Sequence, residues 1–154
     1  LGNGTTTPFI DMGGTTAGTL YTAIIGFTAN AITGGVTEGD VLYLSTAGTV
    51  GKADADAAGK TFVVGIAAET ASAGSACRVA SMPGQIVPVS ADLSAMAIGD
   101  VVFMSKTAGA LTNDVSAYTT SGDTLYRVGF VHTVGAGAGD GMILYMPQFV
   151  QVVA

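Results

Sequence analysis

Short runs of aromatic and β-branched residues, separated by Gly, Asp, Ser and Pro, fill most of the chain. Apolar spacing suited to one face of a helix is nearly absent. Gly39-Asp40 leads directly into Val41-Leu42-Tyr43-Leu44, and Gly99-Asp100 into Val101-Val102-Phe103-Met104. Each reads as a tight turn followed by a strand, since Gly tolerates positive φ and the Asp carboxylate accepts a nearby backbone N–H. Ser45-Thr46-Ala47-Gly48 and Ser105-Lys106-Thr107-Ala108-Gly109 then predict hairpin turns. Residues 61–66 and 125–130 are the next expected strands, with Gly65 and Gly129 placed where a bulge or a close backbone approach fits. Strands are expected again at 76–81 and 141–146, then at 85–89 and 149–153. Met82-Pro83 and Met146-Pro147 stand between these as stops, because Pro withholds an N–H. The best helical stretch, 53–58, holds Asp54 and Asp56 and is followed by Gly59, a composition that suits a turn at least as well.

These elements recur. The segment Gly39-Asp40-Val41-Leu42-Tyr43-Leu44-Ser45 returns 60 residues later as Gly99-Asp100-Val101-Val102-Phe103-Met104-Ser105. Val64-Gly65-Ile66 returns as Val128-Gly129-Phe130, and Met82-Pro83 as Met146-Pro147, both after 64 residues. Three landmarks in one order indicate an internal duplication. Copy one covers about 36–91 and copy two about 95–154, and the joint Asp92-Leu93-Ser94 is too short to link independent domains. Residues 1–35 form an N-terminal arm and a first strand; the Thr- and Gly-rich start, residues 1–8, has little to bury and is either disordered or laid on a neighbour. The expected fold is all-β: a small barrel or sandwich built from two duplicated β units that share a core, with an extended N-terminal arm.

Composition sharpens this picture. A 154-residue chain fits one domain that buries roughly two-thirds of its unfolded surface. Its hydrophobic fraction of 49% is inflated by Ala, and no apolar run is long enough to cross a bilayer. Charged residues make up only 10%, against about a quarter in ordinary soluble domains, so much of the surface is expected to be covered by partners. The net charge is -6, and Lys52, Lys60, Arg78, Lys106 and Arg127 are scattered, which disfavours nucleic-acid binding. Cys77, the only cysteine, reads as a buried hydrophobe and points weakly to assembly in a reducing compartment. Residues 1–30 lack a basic start followed by an apolar core, so no cleavable export signal is expected.

Candidate chemistry is sparse, and no catalytic, cofactor-binding or metal residue is assigned. His132 is the only histidine, which excludes a multi-histidine metal site, and its place on an expected strand suits a surface or hydrogen-bonded core residue better than a base. No G-x-S-x-G elbow occurs, so a small hydrolase is the weakest of the rival readings. Asp54-Ala55-Asp56 places two carboxylates near each other without a full calcium loop. Gly135-Ala136-Gly137-Ala138-Gly139-Asp140-Gly141 lacks the spacing of a phosphate loop and reads as a hairpin tip. Asn3-Gly4-Thr5 matches a glycosylation sequon, relevant only in a secreted glycoprotein.

The order Gly39 to Ser45, Val64-Gly65-Ile66-Ala67, Ala73-Gly74-Ser75-Ala76, then Pro83-Gly84 and a Val-rich strand to Val89, with a second round at Gly99 to Ser105 and Arg127 to Val131, resembles the capsid decoration (cement or head-fibre) proteins of tailed bacteriophages. The likeness spans about 20–154. It implies a non-enzymatic, cofactor-free virion protein on the outer capsid surface, assembled in the host cytoplasm, often as a homotrimer. Its partners would be the major capsid protein and copies of itself, with no nucleic acid and no membrane. Residues 1–19 carry no motif of that family, so capsid-contacting residues do not transfer individually. Two β-rich alternatives stand beside it. A tail-fibre or receptor-binding module would expose aromatic groups at loop tips, for which Tyr118 is the candidate, and an extracellular filament subunit would polymerise by donor-strand exchange.

Overall fold

The computed structural model describes residues 11–12, 23–24, 26–29, 32–45 and 48–154. Its strands, in chain order, are β1 (Asp11–Met12), β2 (Ala23–Ile24), β3 (Gly26–Ala29), β4 (Ile32–Thr33), β5 (Val41–Leu44), β6 (Val50–Lys52) and β7 (Val63–Ala67). These are followed by β8 (Cys77–Ala80), β9 (Gln85–Pro88), β10 (Val101–Met104), β11 (Leu111–Thr112), β12 (Thr124–Thr133) and β13 (Met142–Val152). The fold is all-β, as the alternation of apolar runs and turns predicts. Residues 53–58 form turns, and helical geometry among the described residues is limited to a 3-10 turn at Val115–Ala117. The arm at 1–8 and the sequon at Asn3 lie outside the described residues.

Two main sheets form a sandwich rather than a closed barrel. One has the order β3-β8-β7-β5-β6-β4 and the other β11-β10-β12-β13-β9, while β1 and β2 pair as a separate ribbon. Pairing is antiparallel throughout except between β4 and β6. The six-stranded sheet is strongly curled, because its opposite edge strands β3 and β4 are separated by only two residues, a span of at most about 11 Å between Ala29 and Ile32. Its concave face encloses a small core that includes Ile32, Leu42, Val50, Cys77 and Val79. Its convex face presents Val41, Tyr43, Ile66 and Ala80 to a larger core, filled from the five-stranded sheet by Val102, Met104, Val128, Ile143 and Tyr145. Both faces of the first sheet are therefore buried.

The duplication is structural as well as sequential. Between β5 and β7 the register slips after Leu42, and between β10 and β12 it slips at the equivalent Val102, leaving Val64 and Val128 as the extra residues. The glycine beside each slip is required by packing: a Cβ on Gly65 would lie 2.3 Å from the Ala80 carbonyl oxygen, and one on Gly129 would lie 2.1 Å from that of Leu144. The edge strands match too. β3 pairs with β8 through Thr28↔Arg78, Phe27↔Val79 and Gly26↔Ala80. β9 pairs with β13 through Pro88↔Met142, Val87↔Ile143 and Ile86↔Leu144, so β3 and β9 hold the same seat at the edge of the two repeats.

Backbone hydrogen bonds stitch the copies together. The Val41 N–H donates to Gly109 O at 2.8 Å, Gly109 donates to Ala53 O at 2.8 Å, Ala55 donates to Ser105 O at 3.0 Å and Thr124 donates to Ala55 O at 2.8 Å. With the shared core, these bonds make the two copies one packed unit.

One expectation fails. Met82-Pro83 does end β8, but Met146-Pro147 does not end its counterpart, and β13 runs unbroken from Met142 to Val152. Pro147 falls within a register slip in which β13 advances from Tyr145 to Gln148 while β12 retreats only from Gly129 to Arg127, so the missing N–H costs no ladder bond. Residue 84 separates the two cases: Gly84 turns the chain at φ 90, whereas the matching Gln148 carries a side chain that disfavours positive φ and stays in the strand.

Candidate interaction surface

The polar residues that the sequence brings forward serve mainly to fix turns. In Thr37-Glu38-Gly39-Asp40 the Asp40 N–H donates to Thr37 O at 3.0 Å, Gly39 sits at φ 89, and the Thr37 N–H donates back to Asp40 Oδ2 at 2.7 Å. Residues 97–100 repeat this arrangement with Gly99 at φ 91 and the Ala97 N–H on Asp100 Oδ2 at 2.9 Å. A third example, Thr120-Ser121-Gly122-Asp123, has Gly122 at φ 97 and the Thr120 N–H on Asp123 Oδ2 at 2.9 Å. The recurrence of Gly-Asp just before a strand was the available signal for this third turn. Two of these carboxylates are buried and paired. Asp40 accepts Ser90 Oγ–H at 2.8 Å and lies 2.9 Å from Lys52 Nζ, and Asp123 lies 2.6 Å from Lys106 Nζ. The hydrogen bond from Lys106 is the main reason that Asp123 titrates below the usual carboxylate range.

The residues weighed for chemistry do not converge. His132 is exposed on β12 and its Nδ1 lies 2.9 Å from Thr133 Oγ1, a contact between neighbours in the chain. Cys77 is fully buried in the smaller core, where burial raises its thiol pKa. Asp54 and Asp56 share a turn in which the Asp56 N–H reaches Asp54 Oδ1 at 3.4 Å, and burial, with the Asp56 side chain second, raises Asp54. Among the described residues no group of three or more His, Cys, Asp or Glu is arranged to hold a metal ion. Residues 135–141 form the tip of the β12–β13 hairpin, with the Asp140 N–H on Gly137 O at 3.3 Å.

Tyr118 corrects the expectation of an exposed aromatic at a loop tip. It is 8% exposed, its hydroxyl donates to Met104 O, and burial, followed by the nearby charges of Asp123 and Asp114, pushes its pKa up to about 12. The loop folds inward because the ring adds apolar area to the larger core while its hydroxyl finds a carbonyl partner.

A shallow pocket of about 220 Å³ lies beside Thr33, Tyr43, Lys52 and Lys60. One of its two ammonium groups is already paired with Asp40, and no nucleophile or base is aimed into it. Its chemistry extends no further than weak attraction for an anion.

The feature that stands out is apolar. On the outer face of the five-stranded sheet, register places Val101, Phe130, Leu144 and Ile86 in one row across four strands, all half-buried. The adjoining positions are Phe103 and Arg127 on one side and Pro88 and Met142 on the other. The Arg127 guanidinium lies 5.1 Å from the Phe130 ring centroid and its Nε–H donates to Met146 O at 3.2 Å. Further large hydrophobics are exposed elsewhere, among them Phe62 at 66% and Ile98 at 73%, and Phe149 at 57% beside Val150 on β13. The solvated face of an antiparallel sheet is ordinarily polar, and this one carries an apolar row instead. No family model matches this chain, and no curated protein matches it.

Proposed function

We propose that this chain is a non-enzymatic structural subunit that decorates the outside of an assembled bacteriophage capsid and stabilises the shell. Its partners in this reading are the major capsid protein and further copies of the chain, and its place is the outer surface of a virion assembled in the host cytoplasm. The resemblance of the repeated Gly-Asp strand motif to capsid decoration proteins supplies the identity of the partner. The observation that carries the reading is the apolar row Val101, Phe130, Leu144 and Ile86, half-buried on the outer face of the five-stranded sheet, while Asp40 and Asp123 are taken up by turns and ion pairs. Cement acts by summing modest contacts over many attachment points, which needs broad apolar surface and no reactive group.

In this reading the arm within residues 1–19 reaches a neighbouring molecule by strand addition, which its polar composition, low in charge, suits. The test is co-sedimentation of the purified chain with expanded shells that lack it, together with the temperature at which those shells rupture. The expected result is saturable binding and a raised rupture temperature, both reduced when residues 1–19 are deleted. Absence of binding to expanded shells would overturn the reading, and undiminished binding by the deletion variant would remove the arm from it.

A further inference from the structure

The pocket beside Thr33, Tyr43, Lys52 and Lys60 performs no reaction, yet it holds a donor that the fold does not use. Tyr43 is 8% exposed, and its hydroxyl has no hydrogen-bond partner among the described residues. Tyr118, buried to the same degree, gives its hydroxyl to Met104 O. Among the described residues no buried side-chain oxygen or nitrogen is left unsatisfied, so the Tyr43 hydroxyl is not sealed in the core, and its outlet is the pocket that Tyr43 lines. Packing alone does not call for this group, because the other repeat has Phe103 at the equivalent place. The neighbouring positions differ in the same sense. Tyr43 stands opposite Gly51, and Phe103 opposite Thr112. A Cβ on Gly51 would lie 2.9 Å from Tyr43 Cε1, so the ring takes the space that a side chain would fill. The next residue is Lys52 in the first repeat and Asn113 in the second, and each reaches the aspartate of its Gly-Asp turn. Lys52 Nζ lies 2.9 Å from Asp40 Oδ2, and Asn113 Nδ2 lies 3.5 Å from Asp100 Oδ2. The first repeat therefore brings an ammonium group and a free phenol hydroxyl to one pocket, where the second has an amide and a bare ring. Lys60, exposed and without an ion pair among the described residues, adds a second ammonium group.

We propose that this pocket binds the carboxylate group of a small acid, with the Tyr43 hydroxyl donating to one oxygen and the Lys60 ammonium supplying the charge. Charge selects the class of ligand. Asp40 offsets Lys52, and Asp54 lies in the field of Lys60, so the site suits a single negative charge and disfavours a dianion. Size narrows it further, since a volume of about 220 Å³ is below the roughly 300–1,000 Å³ of pockets that enclose a drug-sized molecule. Hydrogen bonds to an ionised acceptor are stronger than those between neutral groups, which favours the carboxylate over an uncharged carbonyl of the same shape. The site belongs to the seam between the repeats, because Ala108 of the second repeat lines it. It requires neither a capsid nor the apolar row, so it stands independently of the proposed function.

Titration of the isotope-labelled chain with sodium acetate at constant ionic strength, read by amide chemical shifts, tests it. Saturable shifts are expected at Gly34, Gly35, Gly51 and Ala108, with Thr112 and Asn113 of the second repeat unmoved. Acetamide, the uncharged isostere, is expected to leave the same amides in place. Tyr43→Phe and Lys60→Gln are each expected to weaken acetate binding about tenfold, the size of a lost hydrogen bond or charge at an ionised group. The thermal midpoint reports folding of each variant. If Tyr43→Phe fails to fold, Lys60→Gln, at an exposed position, decides by the same titration. Shifts that never saturate, that chloride or inorganic phosphate reproduces at equal concentration, or that persist undiminished in the folded variants would overturn the site. Acetate binding by a chain that fails to bind shells would count against the proposed function alone.

Discussion

The buried carboxylates show how few charges this chain needs and where it uses them. Asp123 is 2% exposed and holds both the Thr120 N–H and the Lys106 ammonium. Because its folded pKa lies below the unfolded value, the stability it contributes is fully present above about pH 4 and is lost as pH falls through the lower, folded value. Lys106→Met removes the largest cause of that depression. Thermal midpoints of wild type and variant measured against pH are expected to differ by a constant gap near neutrality, and the gap should narrow below about pH 4. A gap that widened on acidification would contradict the pairing. Tyr118 teaches the complementary lesson. An aromatic in a polar loop sequence reads as exposed, yet the ring gains more from the core than from solvent once its hydroxyl has the Met104 carbonyl as a partner.

At the scale of elements, the glycines at the register slips are the sharpest constraint. Gly129→Ala places a methyl group against the Leu144 carbonyl and is expected to cost about 1–3 kcal/mol in urea unfolding through forced displacement of β13. Wild-type stability in that variant would mean that the two strands are not in close register. This constraint was legible in the sequence, as were the Gly-Asp turns and the strands that follow them, because local chemistry decides each one. The continuity of β13 through Pro147 was not. A proline stops a strand only where its absent N–H would have been paired, and the slip opposite Arg127 and Gly129 that removes the need exists only in the folded ladder. The matching seats of β3 and β9 were equally hidden. The residues in them, Gly26-Phe27-Thr28 and Ile86-Val87-Pro88, share no side-chain pattern, and only pairing with β8 and β13 makes them equivalent.

For the whole molecule, duplication supplies both the core and the surface left over. Stacking one repeat on the other hides the convex face of the first and leaves the corresponding face of the second half-open. Low charge raised the expectation of covered surface without marking a place for it, and the apolar row was hidden from the sequence, since it joins residues up to 58 positions apart across four strands and appears only with the register. The central claim, that this molecule acts through apolar faces covered by association, is tested most directly by hydroxyl-radical footprinting of its side chains in assembled and dissociated material. Phe103, Phe130, Met142 and Leu144 are predicted to oxidise several-fold more slowly in the assembled form, with exposed residues elsewhere, such as Ile98, serving as the internal comparison. Equal oxidation of those four residues in both forms would contradict the account.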